Sequence, residues 1–283
     1  MITSTKNPRL VQARKLTQRK HRLQQNRFLV EGLQLLGMAV EMMTASPRSH
    51  KIIPGELFYC EELFTGPTAP RLLAQLTRAG AEPIPVAAHV LDSLSERETS
   101  LGLAATFALR ELSWTLDELA RRVASKPGLV LILDQLQDPG NLGTLMRTAD
   151  AAGAQAVILL EPGVDPFDPK TVRSTMGSIF TIPLLQTRDL AGLFARLLQL
   201  GYRPVGADVR RGRVAWQSEI LTGPVALALG NEARGLNPEL AAYLTGYVSL
   251  PLYGRAESLN VAIAGGILMY EWLRINQPQE NDR

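Results

Sequence analysis

The sequence predicts an α/β protein of two domains, and three observations carry that reading. The chain has 283 residues, more than one ordinary small domain holds and enough for two of modest size. Hydrophobic residues make up 46% and charged residues 20%, which excludes disorder as the main state and leaves apolar surface for cores. Short apolar runs alternate with helical patterns in two series, residues 1–108 and 128–283, separated by a linker of different texture at 109–127.

In the first series, Asn7-Pro8 opens a helix expected to run to about Gln24, with Leu10, Ala13 and Leu16 on one face and the cations outward. Residues 28–30 read as a strand, 32–43 as a helix, 57–60 as a strand and 71–79 as a helix ended by Gly80. Residues 83–86 read as a strand, 89–94 as a short helix, and 101–109 as the strand that closes this domain. The stretch 110–127 is polar with scattered apolar positions and ends at the break Lys126-Pro127-Gly128. In the second series, strands are expected at 129–133, 156–160, 182–185, 203–207, 225–229 and 247–250. Helices are expected at 141–152, 170–176, 190–200 and 259–274, and the polar tail 277–283 is expected to fray. Short apolar strands separated by helices mean a mostly parallel sheet covered on both faces.

Composition narrows the functional classes. A single cysteine excludes a disulfide scaffold and thiolate-clustered metal sites, and His21, His50 and His89 form no ligand spacing, so no metal is expected. No run of about 18 uncharged apolar residues occurs, and the N-terminus lacks the apolar core of a signal peptide. A cytoplasmic protein without a membrane partner is expected. The net charge of +3 is unevenly spread. Residues 1–27 carry Lys6, Arg9, Arg14, Lys15, Arg19, Lys20, Arg22 and Arg27 and no acid, which leaves −5 for the remainder. A basic arm on a mildly acidic body suggests a polyanion partner, RNA or DNA; the plain alternative is a solvated helix face.

Ligands of parallel α/β sheets bind beyond the carboxyl ends of the strands, and three such loops are rich in glycine and polar residues. In the loop after 129–133, Asp138-Pro139-Gly140 reads as a tight turn and Asn141 as the cap of the next helix, with Gly143 permitting close approach and Arg147 near the helix mouth. A capped helix with a surface arginine is the plain alternative. The dinucleotide pattern GxGxxG is absent, which argues against a nucleotide-dependent dehydrogenase. Gly230 directly follows a strand and Gly235 comes five residues later, an arrangement that exposes backbone groups to a flat ligand or simply makes a turn. Ser258 and Asn260 suit the cap of the last helix, with Leu259 packing inward.

Taken together, D-x3-D-P-x-N-x-G-x3-R-T-A-x-A-x-G (134–153), P-K-x-V-R-S-x-x-G (169–177), L-G-N-E-x-x-G-L (229–236) and L-P-x-x-G-x-x-E-S-L-N-V (250–261) closely resemble the SpoU (TrmH) family of RNA 2′-O-ribose methyltransferases, within the SPOUT superfamily. The resemblance covers about residues 127–275; more loosely, ITSTKNP and FLVEG resemble the family's N-terminal substrate-binding domain, similar to the ribosomal protein L30e fold. It implies an L30e-like α/β domain followed by a SPOUT α/β domain with a deep trefoil knot, a fold feature otherwise essentially absent from proteins. It implies S-adenosyl-L-methionine as cofactor, held by Leu229, Gly230, Gly235, Leu250 and Leu259, and a homodimer through the C-terminal domain. The small residues of AIAGG on the final helix would lie at that interface, with Tyr270, Trp272 and Leu273 as bulky complements; intramolecular packing is the alternative. Arg147 matches the family's catalytic arginine, Asn141 the residue orienting it or the ribose, and Glu232, Ser258 and Asn260 the polar positions around the same pocket. The family proposal has the arginine as base; a guanidinium is a fixed cation with a fork of donors, which suits orienting a phosphate and stabilising a developing alkoxide. Lys6, Arg9, Arg14, Lys15, Arg19, Lys20 and Arg22 are expected on RNA, and Arg173 on a phosphate or the dimer partner. The implied substrate is ribosomal RNA, the large subunit favoured; transfer RNA, or a non-catalytic ribosome-associated RNA-binding role, are the alternatives.

Overall fold

The Asn7 side chain accepts the Arg9 N–H at 3.0 Å and so starts helix α1, Pro8–Lys15. The computed structural model describes residues 1–45, 52–95, 102–125 and 128–276. Expectations placed on His50, on Leu101, on the Lys126-Pro127 break and on the tail 277–283 lie outside these residues. The single helix expected to Gln24 is two helices: α1 stops at Leu16 and α2 spans Arg19–Gln25. Gln18 is extended at the break, and the carbonyls of Leu16 and Thr17 that it frees are taken by the Arg22 guanidinium at 2.7 and 2.8 Å.

The chain divides into two units, Met1–Leu112 with Asp165–Thr181, and Ser113–Val164 with Ile182–Arg283. In the first, β1 (Arg27–Glu31), α3 (Leu33–Ala45), β2 (Pro54–Tyr59), α4 (Thr68–Arg78), β3 (Glu82–Pro85), α5 (Ala88–Asp92) and β4 (Leu103–Ala108) follow in order. The sheet order is β1-β4-β2-β3, antiparallel except for the parallel β2–β3 pair. A register shift in β2 between Pro54 and Leu57 is filled by Thr106, whose hydroxyl accepts the Glu56 N–H at 2.9 Å.

The second unit begins with α6 (Leu116–Ser125), where the sequence suggested a linker. Leu119, Ala120 and Val123 make a buried stripe, and Thr115 and Glu118 cap each other: Glu118 Oε2 accepts the Thr115 N–H at 2.8 Å and Thr115 Oγ1 accepts the Glu118 N–H at 3.3 Å. Then come β5 (Leu129–Asp134), α7 (Pro139–Ala151) and β6 (Ala156–Leu160). Between β6 and the next strand lies Asp165–Thr181, with α8 (Pro169–Ser174), which packs in the first unit rather than the C-terminal block where the sequence puts it. The chain returns as β7 (Leu184–Thr187), α9 (Leu190–Gln199), β8 (Arg203–Ala207), β9 (Arg213–Val214), β10 (Val225–Leu229), β11 (Gly246–Ser249) and α10 (Val261–Asn276). The seven strands run in the order β7-β6-β5-β10-β8-β11-β9 and every pair is parallel. One face packs Val130, Ile132, Ile158, Ala226 and Ala228 against Leu193, Phe194, Leu197 and Tyr202. On α10, a Cβ at Gly265 would meet Leu145 and Leu229 at 2.5 Å, so this glycine serves packing within the chain. Trp272 is buried too, its Nε1 donating to the Gly223 carbonyl at 2.8 Å, and is no complement to a partner.

In the first unit the 165–181 segment completes a core. Phe28 packs against Phe167 with centroids 5.0 Å apart, and Phe107 against Phe180 at 5.1 Å. Arg22 is 2% exposed and pairs with Asp165 at 2.7 Å. It is a buried structural cation, not the RNA contact expected. Arg9 pairs with Glu82 at 2.6 Å, Arg14 donates to the Thr5 carbonyl, Arg19 lies 3.8 Å from Asp165, and Arg173 pairs with Glu31 at 3.4 Å. Lys6, Lys15 and Lys20 have no ion pair among the described residues.

Candidate active site

Beyond the carboxyl ends of β8, β10 and β11 the second unit forms an open cavity of about 700 Å³. Its walls come from Ala207–Arg210, Leu229–Leu236, Val248–Leu250 with Leu252, Glu257–Val261, Ala264 and Leu268. Eight of the ten catalytic and cofactor positions expected from the sequence line it: Leu229, Gly230, Glu232, Gly235, Leu250, Ser258, Leu259 and Asn260. Leu259 does not pack inward as expected; it is 39% exposed and forms part of the wall.

The loop after β10 is a closed hairpin of main chain. Asn231 and Gly235 exchange both backbone hydrogen bonds at 2.9 Å, and Asn231 Oδ1 accepts the N–H groups of Ala233 and Arg234 at 3.0 and 3.1 Å. A Cβ at Gly230 would overlap the main chain of Gly235 and Leu236. Glycine is therefore required there by the loop's own return, before any ligand approaches. The loop is pinned at both ends to the end of β5 and the residue after it: Asn231 Nδ2 donates to the Gln135 carbonyl at 2.9 Å, and the Asn237 N–H donates to Asp134 Oδ2 at 2.6 Å. Burial pushes the Asp134 carboxyl above its ordinary range, opposed by the Asn237 N–H.

A polar network joins this loop to two helices. Asp138, not Asn141, caps α7, accepting the Asn141 N–H at 2.8 Å; the proline at the first helical position moves the cap to the residue before it. Asn141 is thereby released to act through its side chain. Its Nδ2 donates to Glu232 Oε1 at 3.0 Å, and its Oδ1 accepts from Asn260 Nδ2 at 3.0 Å. Glu232 also receives the N–H groups of Gln137 and Asp138 at 3.4 Å. Asn260 caps α10, accepting the Ala262 N–H at 2.8 Å, whereas Ser258 is exposed and caps nothing. On the opposite wall Asp208 accepts the Arg210 and Arg211 N–H groups at 2.8 and 3.0 Å, and Arg211 pairs with it while lying 4.3 Å from the Tyr247 ring. Burial raises the Asp208 carboxyl, but these donors outweigh burial and hold it below its usual range.

Arg147 is not brought into the cavity. It is exposed, on a different side of α7 from Asn141, and no bond to it is formed by the described residues. Ile263, Ile267 and Tyr270 are 56%, 42% and 50% exposed and share one stripe of α10, which no described residue covers. Sequence reasoning missed Asp134, Gln135, Asn231, Asp208 and Arg210. Asn231 had a visible signal, since an Asn two to four residues before a glycine is prone to close a turn; Asp208 had one as the Asp of D-x-x-x-G.

Residues 128–270 match the SpoU rRNA Methylase family, and residues 7–105 match the MRM3-like substrate binding domain. The chain belongs to the SpoU family. Among SpoU relatives, it is 35% identical over 269 residues to the 23S rRNA (guanosine(2553)-2′-O)-methyltransferase RlmP of Bacillus subtilis, covering 95% of this chain and 97% of that one. Among solved structures it is similar to an AdoMet-bound rRNA methyltransferase from Sinorhizobium meliloti, at 32% identity and a TM-score of 0.80 over 96% of this chain and 97% of the other. The SpoU methyltransferase AviRb from Streptomyces viridochromogenes, in complex with AdoMet, superposes with a TM-score of 0.82 at 28% identity, covering 95% and 98% of the two chains. Among the described residues of this SpoU chain no helix is long and apolar enough to cross a membrane.

Proposed function

We propose that the protein transfers a methyl group from S-adenosyl-L-methionine to a ribose 2′-hydroxyl of RNA, and that the RNA is ribosomal. The observation that carries this is the cavity of about 700 Å³ beyond the strand ends, into which the family's polar and leucine positions converge. The walls suit the cofactor: Leu229, Leu250, Leu259 and Leu268 offer apolar faces for an adenine, and the 230–236 hairpin offers main-chain polar groups beside them. Bound there, S-adenosyl-L-methionine supplies a methyl group on a cationic sulfur, open to in-line displacement by an oxygen. The chain's own residues do the rest. The leucines keep water from the transferred group. Asn141, Glu232 and Asn260 hold the α7 turn, the hairpin and the α10 cap in one register. Arg147 is the cation on hand for the phosphate next to the target ribose and for the charge that develops on its 2′-oxygen. The hydroxyl proton passes to solvent.

The remaining family properties enter the same reading. The Ile263–Ile267–Tyr270 stripe suits a homodimer through α10, in which the unengaged Arg147 is completed by a second copy or by RNA. Gly212, where a Cβ would overlap the main chain of Val248–Ser249 more than thirty residues on, is in keeping with the close chain packing of a trefoil-knotted C-terminal segment. The substrate-binding domain and its free lysines hold RNA, and the work takes place in the cytoplasm, where ribosomal RNA is assembled.

The test is transfer of labelled methyl from S-adenosyl-L-methionine to ribosomal RNA, followed by nuclease digestion. A 2′-O-methylated nucleoside is expected. Label on a base, label on transfer RNA alone, or none on any RNA would overturn the reading in its reaction, its substrate or its enzymatic nature respectively.

A further inference from the structure

The hairpin that lines the cavity does not stand by itself. Both its ends are fastened to two consecutive residues, Asp134 at the end of β5 and Gln135 after it, neither of which lines the cavity. Asp134 is 2% exposed and is fixed by the parallel register to Leu160 of β6. Gln135 adopts φ 54°, a left-handed conformation costly for a side chain with a Cβ, and from there its carbonyl receives Asn231 Nδ2.

A buried carboxylate at this place is not what stability asks for. β5 is buried at every position, and its other residues are Leu129, Val130, Leu131, Ile132 and Leu133. A leucine at 134 would continue that run without the cost of burying an acid. What the acid adds is a short, strong acceptor, 2.6 Å from a main-chain N–H 103 residues away, at the point where the hairpin ends.

We propose that Asp134 is a positioning residue for cofactor binding: its carboxylate, with the Gln135 carbonyl, holds the 231–237 hairpin in the one conformation that receives the ligand. The proposal rests on the reading of that hairpin as part of the S-adenosyl-L-methionine site. It differs from a structural role in what it predicts: in the fold a leucine offsets the lost hydrogen bond by sparing the burial of an acid, whereas in the site nothing offsets it. Asn237 has φ −56°, close to the value proline imposes, so Asn237→Pro removes the donated N–H from the other side with little backbone strain.

The experiment measures thermal stability, S-adenosyl-L-methionine affinity by calorimetry, and KM against kcat in the full-length protein for Asp134→Leu, Asp134→Asn, Asn237→Pro and the Asp134→Leu/Asn237→Pro double variant. The leucine variant is expected to melt no lower than the parent, to lose roughly 10- to 100-fold in cofactor affinity with KM rising by the same factor, and to keep kcat at saturating cofactor. Asn, which retains an acceptor oxygen, recovers most of the loss, and the double variant is no worse than the poorer single one. A folded leucine or proline variant with the parent's KM overturns the proposal. So does a leucine variant whose losses fall on stability and kcat alone. Should leucine not fold, the Asn and Pro variants decide through the same KM. Hydrogen exchange at the Asn237 amide gives a reading without cofactor: slow in the parent, fast in Asp134→Leu. If the parent binds no S-adenosyl-L-methionine, the functional reading fails, and the pinning of the hairpin is judged on exchange alone.

Discussion

Asn141 Nδ2 lies 3.0 Å from Glu232 Oε1, across 91 residues of sequence, so the first turn of α7 and the hairpin after β10 share one carboxylate. Glu232 accepts from three donors, the Asn141 side chain and the Gln137 and Asp138 amides, all of which belong to the turn that opens α7. Through these bonds it staples the hairpin to the turn.

Glu232→Gln is accordingly expected to be almost as damaging as Glu232→Ala. The amide NH2 would face donors where the carboxylate faces them as an acceptor, and charge-assisted bonds of this kind contribute about 1.5–3 kcal/mol each at most. Single-turnover transfer should fall by roughly 10- to 100-fold in both variants. A glutamine variant with the parent's rate would show that the staple is dispensable.

Arg147 is exposed, so its removal should leave the fold alone. Arg147→Ala is expected to shift stability by no more than about 0.5 kcal/mol, to leave cofactor affinity intact, and to cut methyl transfer by about 100-fold or more. Arg147→Lys separates the two roles available to the side chain. If the fork of donors is what matters, lysine is poor at every pH; if proton removal is what matters, activity returns as pH rises. A single-turnover pH profile reads the difference.

Arg22 is the opposite case. Buried and paired with Asp165 at 2.7 Å, it is expected to cost about 3–5 kcal/mol when replaced by alanine, because Asp165 is left with only the more distant Arg19 and the Leu16 and Thr17 carbonyls lose their donor. Denaturant titration of Arg22→Ala measures this; a loss under about 1 kcal/mol would mean the pair is worth no more than a surface one.

RNA affinity should depend instead on Lys6, Lys15 and Lys20. Replacing all three with alanine is expected to lower the slope of log affinity against log salt by about 2 for single-stranded RNA. An unchanged slope would place the RNA elsewhere on the chain.

The carboxylates give a signed pH dependence. Asp208 is held below its ordinary range by Arg211 and neighbouring amides despite burial, and Glu271 by Arg274. Such groups stabilise the fold above their unfolded pKa, and that contribution is lost as pH falls through the lowered folded value. The stability difference between the parent and Asp208→Asn should therefore be full at neutral pH and shrink below the usual carboxylate range. Asp134 and Glu56, raised by burial, work the other way, their contribution being lost as pH rises through the raised folded value. Thermal melts across pH check both signs.

Elements with a strong local pattern were legible in the sequence: the apolar strands 129–133, 156–160 and 225–229 match the structure within a residue. The α6 helix was hidden by its polar face, although Thr115 and Glu118 form a capping box readable at a spacing of three. The cavity lining was legible through family motifs. The reasons for those motifs were not, because they are non-local: Gly230 answers to Gly235 and Leu236, Asn231 to Gln135, and Asn237 to Asp134. Nothing in the periodicity of 1–27 distinguishes the buried Arg22 from the free Lys20, since what separates them is Asp165, 143 residues away from Arg22.

The excursion of residues 165–181 has a consequence for biosynthesis. A ribosome delivers residues 1–112 long before it delivers Phe167, Phe180 and Asp165, the groups against which Phe28, Phe107 and Arg22 are buried. The amino-terminal unit therefore emerges first but cannot finish first. Until some 180 residues have been translated it carries an open aromatic face and an unneutralised interior cation, and its maturation is timed by the synthesis of the other unit's first two strands, β5 and β6.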